Sequence, residues 1–152
     1  MINDAISQLG FISGTIVQLL EHVEDEVLQK RPIANKMSVW EVCVHLAQIP
    51  KADLLIQKGN TQQQMAHYYE TNMPTSIVYA KDQFTAGIQE FISYFEEQTD
   101  AELAYKFSTY WGSEYSSAEW FIQTLNHLTH HRAQLYNYLL FLGKDVQVVL
   151  FR

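Results

Sequence analysis

The chain has 152 residues and a mass of 17.7 kDa, enough for one domain that buries about 70% of the surface of its extended chain. It is 47% hydrophobic and 18% charged, and carries 17 acidic against 10 basic residues for a net charge of -7, which excludes disordered, collagenous and coiled-coil classes and disfavours binding to nucleic acid or anionic membranes. The single Cys43 excludes an intrachain disulfide, the N-terminus lacks the basic start of a signal peptide, and no apolar run approaches the roughly 20 residues of a membrane span, so a cytoplasmic protein is expected.

Residues 1–152 read as one helical domain with sparse punctuation: six glycines and three prolines imply long elements and few turns. The first helix is expected from about Asp4 to Val23, with Ile6, Leu9, Ser13, Ile16, Leu20 and Val23 on one face. After the turn at Lys30-Arg31-Pro32, Ser38-Val39-Trp40-Glu41 forms a capping box, in which the serine oxygen accepts an early backbone N–H and the glutamate reaches back. A second helix follows to about Gln57, closed by Lys58-Gly59-Asn60, with a kink expected at Pro50. Residues 61–75 are ambiguous, with room for a short helix before Pro74. The third long helix runs from about Ser76 to Gln98 and stripes Ile77, Phe84, Ile88, Phe91 and Phe95 along one side. A long connection carries Tyr110, Trp111 and Tyr115, an aromatic group able to cover a substrate at the mouth of a bundle. A second capping box, Ser116 to Glu119, opens the last helix, which stops at Leu142-Gly143, where glycine suits a left-handed cap. The apolar tail after it reads as a docked segment without a partner strand. Four amphipathic helices of this length predict an all-α four-helix bundle.

The last helix carries the chemistry. At 100° per residue, Trp120, Thr124, His127, His131, Leu135, Tyr138 and Leu142 fall within about 80° of arc, so two histidines lie one turn apart in a stripe meant for burial. Their i, i+4 spacing lets both imidazoles reach one point, an arrangement suited to a divalent metal and costly in a core if the ring nitrogens stay unpaired. On the second helix His45 lies at the edge of the Val42, Leu46, Ile49 stripe and is aimed inward as well. Three histidines from two helices make a facial site with positions left for water or substrate, the layout of a catalytic metal centre. His130 falls on the polar rim, and His22 and His67 have no partner at ligand spacing.

Residues Ser38-Val39-Trp40-Glu41-Val42-Cys43-Val44-His45-Leu46-Ala47 and Leu125-Asn126-His127-Leu128-Thr129-His130-His131-Arg132-Ala133-Gln134-Leu135 resemble the two histidine-bearing helices of the DinB/YfiT-like proteins. The resemblance runs through nearly the whole chain in element order, while its specific motifs occupy only these two segments. It implies an up-down-down-up bundle, a divalent metal, zinc or nickel foremost, on His45, His127 and His131, and a homodimer. It also implies either hydrolysis or transfer of a low-molecular-weight thiol such as bacillithiol or mycothiol onto a small electrophilic substrate. A metal-binding or stress-related module without turnover is the alternative.

Around these ligands, Gln134 is placed to bond a metal-bound water or substrate, and Glu41 and Gln48 to orient His45 or act as a base; all three have equally simple structural roles. Asp53 lies two turns from His45, ~12 Å along the helix, too far to share its ion. Cys43 points to another face. A second stripe of the last helix, Ile122, Leu125, Thr129, Ala133, Tyr136 and Leu140, with small residues at its middle, is expected to form the seam of a two-fold dimer.

Overall fold

In a computed structural model, which describes residues 2–151, helix α1 spans Ile2–Glu21, α2 Val39–Gln57, α3 Gln62–Thr71, α4 Ile77–Glu96, α5 Asp100–Ala104 and α6 Ser117–Phe141. A 3₁₀ turn, Asp25–Val27, lies between α1 and α2. Two three-residue strands, β1 (Lys106–Ser108) and β2 (Glu114–Ser116), pair antiparallel between α5 and α6. The expected aromatic connection is therefore a hairpin, with Phe107 opposite Tyr115.

Both expected capping boxes are formed. Ser38 accepts from the Glu41 N–H while Glu41 accepts from that of Ser38, and Ser116 and Glu119 repeat the exchange. Two further boxes fit the same sequence pattern: Thr61 with Gln64 opens α3, and Thr99 with Glu102 opens α5. The first of these resolves the ambiguity over residues 61–75, because it starts a ten-residue helix there. At the other ends, Gly59 and Gly143 adopt φ of 86° and 78°, left-handed values that stop α2 and α6 where expected.

Helix α2 packs between α4 and α6, and α1 does the same from the opposite corner, so α1 and α2 lie on the diagonal. Side-chain pairs set the directions. Lys51 meets Glu90 and Gln57 approaches Tyr94, so α2 and α4 run parallel. His45 meets His127 while Gln57 meets Ser117, so α2 and α6 are antiparallel. Lys81 pairs with Glu21, and Lys144, just beyond α6, pairs with Glu24, just beyond α1. The bundle is up-down-down-up.

The core is filled by the expected stripes: Leu9, Ile16 and Leu20 of α1 and Phe84, Phe91 and Phe95 of α4 are fully buried. Phe121 joins them, its ring centroid 4.9 Å from Phe95 and 5.4 Å from Phe91; such edge and tilted contacts add roughly 0.5–1.5 kcal/mol each beyond area burial. In the tail, Val146 and Val148 are buried without a strand, as a docked segment should be. The α2 helix continues through Pro50. Gly87 of α4 lies across from that ring, where an added Cβ would stand 3.2 Å from the Pro50 Cβ. The two helices approach closely because one of them has no side chain at the crossing. No helix among the described residues is long and apolar enough to cross a membrane.

Candidate metal centre

His45, on the middle turns of α2, and His127 and His131, on those of α6, come together because the two helices are antiparallel neighbours. One nitrogen of each ring lies within 4.8 Å of the others, a set able to hold a metal ion. Nε2 of His45 and Nε2 of His127 are 3.0 Å apart. The ring of His45 stands edge-on to both partners, at centroid distances of 5.0 Å to His127 and 4.4 Å to His131.

The donor chemistry fits such an ion. Two nitrogens bound to one zinc-like ion at ~2.0–2.1 Å sit roughly 3–3.5 Å apart, and the His45–His127 separation is already in that range. His131 Nδ1 lies 2.8 Å from Gln134 Oε1. The oxygen can only accept, so Nδ1 carries the proton and Nε2 keeps its lone pair. The Gln134 amide N–H in turn donates to the Tyr138 hydroxyl at 3.2 Å. Burial, followed by the charge of neighbouring histidines, lowers the pKa of His45 to about 4. Burial, partly offset by Gln134, brings His131 to about 4 as well. Both rings are neutral at neutral pH and have no proton to surrender before ligating.

The remaining residues named from sequence fall into place around this cluster. Gln134 orients His131 from outside. Glu41 is engaged elsewhere: it caps α2 and takes both Nη atoms of Arg31, at 2.7 and 3.1 Å. That guanidinium, with the Ser38 N–H, lowers its pKa to about 2, which leaves a weak base. Gln48 is buried, and its amide donates to the carbonyls of Tyr69 and Asn72 rather than to His45. Cys43 is buried and pushed up to about 12 by desolvation, an inert thiol. His130 is exposed on the rim, its ring against His131 at 4.7 Å.

Asp53 is not among the residues whose ligand atoms converge, as its distance along α2 implies. It is far from His45 along α2, yet its Oδ2 lies 3.8 Å from Nδ1 of His127 on the facing helix. It is buried, and its Oδ2 also accepts from the Thr124 hydroxyl at 2.8 Å. The Asp53 carbonyl accepts from the Trp120 indole at 2.9 Å. The signal in the sequence was Asp53 on an apolar stripe with Thr124 on another; the pairing between helices was not written there.

Two clefts open onto the histidines. One of about 1020 Å³ reaches His45 between Trp40, Met37 and Met73, with Arg31 and Lys36 at its rim. The other, of about 580 Å³, reaches His127 and Asp53 past Tyr110, Trp111, Tyr115 and Trp120. Tyr110, Trp111 and Tyr115 thus line the approach to His127, with Trp111 against Trp120 at 6.1 Å. Of the second stripe of α6, Ile122, Ala133 and Leu140 are exposed, and Leu125, Thr129 and Tyr136 half-buried.

Residues 8–149 match the sequence model of the DinB family. No curated protein matches the chain. Among solved structures, the chain is similar to a DinB-family protein of Exiguobacterium sibiricum 255-15, with 33% identity and a TM-score of 0.88 over 98% of this chain and 96% of that one. A DinB-like protein of Bacillus cereus ATCC 10987 has 19% identity and a TM-score of 0.80, covering 97% of each chain. A DinB-like protein of Bacillus subtilis has 16% identity and a TM-score of 0.72, over 96% of this chain and 95% of that one. At those two identities the likeness speaks for the fold alone.

Proposed function

This chain belongs to the DinB family, and from that premise we propose that it is a metal-dependent enzyme acting on a small electrophilic substrate. His45, His127 and His131 hold the ion, zinc or nickel. The observation that carries this reading is the convergence of one nitrogen from each of three imidazoles, two of them held neutral by burial, at the junction of two clefts. A divalent ion on three nitrogens keeps coordination positions free and lowers the pKa of a water or thiol placed there, supplying a nucleophile at neutral pH.

The residues of the chain do the rest. Gln134 fixes the tautomer of His131, and Asp53 faces the outer nitrogen of His127, so both α6 rings present Nε2 inward. Trp40 lines one approach, and Tyr110, Trp111 and Tyr115 of the hairpin region line the other. Two separate clefts leading to one centre supply room for two reactants, which favours transfer of a small thiol onto an electrophile over hydrolysis. The acidic net charge suits a small-molecule substrate rather than nucleic acid. Pairing of two chains along the exposed stripe of α6 belongs to the same proposal, and light scattering on the eluting protein tests it.

The decisive experiment is elemental analysis of untagged protein purified without chelator, beside the variants His45→Ala, His127→Ala and His131→Ala. The expected result is about one zinc or nickel per chain, lost in each variant while the helical circular dichroism persists. Metal-free wild type after loading and desalting overturns the reading.

A further inference from the structure

Among the described residues, Tyr69 alone lines both clefts: it borders the larger with His45, and the smaller with His127 and Asp53. It sits in the last turns of α3, a helix whose only buried side chain is Met65. What seats it is Gln48, one turn beyond His45 on α2. The buried Gln48 amide donates to the Tyr69 carbonyl at 3.0 Å and to that of Asn72 at 3.1 Å, and Gln83 of α4 adds a second donor to Asn72. The α2 turns that present His45 therefore also fix the backbone of Tyr69.

The neighbouring Tyr68 spends its hydroxyl on the Gln48 carbonyl at 3.3 Å. Among the described residues no hydrogen bond engages the hydroxyl of Tyr69, which is half-buried. Burial first, then the Asp53 carboxylate and the phenols of Tyr110 and Tyr68, push its pKa well above the usual tyrosine range. The phenol lies where the two approaches meet, and among the described residues it has no hydrogen-bond partner.

We propose that the Tyr69 phenol is a catalytic residue, donating a hydrogen bond to an oxygen of the substrate held at the three-histidine centre, and that the electrophile is accordingly one that bears a carbonyl or carboxylate oxygen. The proton stays on the phenol oxygen; the bond orients the substrate and stabilises charge that gathers on the accepting oxygen. The inference rests on the metal reading above.

The test uses protein loaded with cobalt(II), whose visible absorption reports the coordination sphere, and two probes: acetohydroxamate, which offers oxygens, and imidazole, which offers none. Tyr69→Phe is expected to keep the cobalt stoichiometry and the absorption of the probe-free protein. It should bind acetohydroxamate about tenfold more weakly, the loss of one hydrogen bond to a charged ligand, with imidazole affinity unchanged. Equal acetohydroxamate affinity in the variant overturns the proposal. So does a parallel loss for both probes, or an altered probe-free spectrum, either of which marks a merely structural role. Failure of the wild-type protein to take up cobalt is a different result: it removes the metal reading itself and this inference with it.

Discussion

Asp53 of α2 and His127 of α6 face one another across the helix interface, Oδ2 to Nδ1 at 3.8 Å, with Thr124 holding the same carboxylate oxygen at 2.8 Å. In the proposed metal centre, a carboxylate on this side of the His127 ring would favour the Nδ1–H form and raise the ring's basicity.

Replacing Asp53 by Asn keeps an oxygen for Thr124 but removes the charge. The expected outcome is a loss of roughly 10–100-fold in metal affinity with little change in unfolding temperature, measured by competition with a chromophoric chelator. Unchanged affinity would sink the role assigned to Asp53.

Gln134 decides which nitrogen of His131 carries the proton. Long-range proton–nitrogen correlation spectra of the metal-free protein should show His131 as the Nδ1–H tautomer. In Gln134→Leu the same ring should move toward the mixture typical of free imidazole. A wild-type ring protonated on Nε2 would contradict the assignment.

The metal-free protein should lose stability on acidification. His45 and His131 titrate near 4 in the folded chain, below the ordinary histidine value of 6.5. Between those values the unfolded chain takes up protons that the folded chain refuses. Stability from these two groups is therefore complete above about pH 6.5 and declines as pH falls toward 4. Thermal unfolding from pH 7 to 4 should show a falling midpoint, with a shallower slope in the double variant His45→Leu/His131→Leu. Identical slopes in the two proteins would refute the linkage.

Gly87 admits the Pro50 ring into the α2–α4 contact. Any larger side chain must push against proline in a continuous helix, and Gly87→Val is expected to cost about 1–3 kcal/mol. Urea denaturation measures it; a variant as stable as wild type would show that the crossing has slack.

Arg132 is nine-tenths buried, and its Nη1 donates to the Thr15 hydroxyl at 3.0 Å while its Nε has no hydrogen-bond partner among the described residues. Thr15→Val keeps the shape and deletes the acceptor. A loss of about 1–3 kcal/mol is expected from the guanidinium left under-bonded, again read from urea unfolding.

Much of this molecule was legible along the chain because its signals are local. Capping depends on residues three apart, so the starts of α2 and α6 were readable at Ser38 and Ser116, and those of α3 and α5 obey the same rule at Thr61 and Thr99. Helix faces depend on a fixed angle per residue, so the stripes of α1 and α4, and His127 and His131 on one side of α6, followed from spacing alone. The same angle put His45 at the inward edge of the α2 stripe, and the family resemblance added the up-down-down-up order. The hairpin was not legible: Lys106–Ser108 and Glu114–Ser116 are three residues each, too short to show an alternating pattern.

What lies between helices was decided only by packing. A helical wheel says which side a residue occupies, not which residue of a neighbour stands opposite, because that depends on the axial register and crossing of two rigid bodies. The register of α2 against α6 brings His45 to His127 and Asp53 to the outer nitrogen of His127, although both partners lie far away in sequence. Packing of α3 on α2 turns Gln48 to the carbonyls of Tyr69 and Asn72, and so makes Tyr69 the common wall of both clefts. The sequence by itself determined the four long helices, their buried faces and the three imidazoles. Only the tertiary structure chose their partners, since those contacts arise when separate hydrophobic faces bury one another and carry their polar residues along.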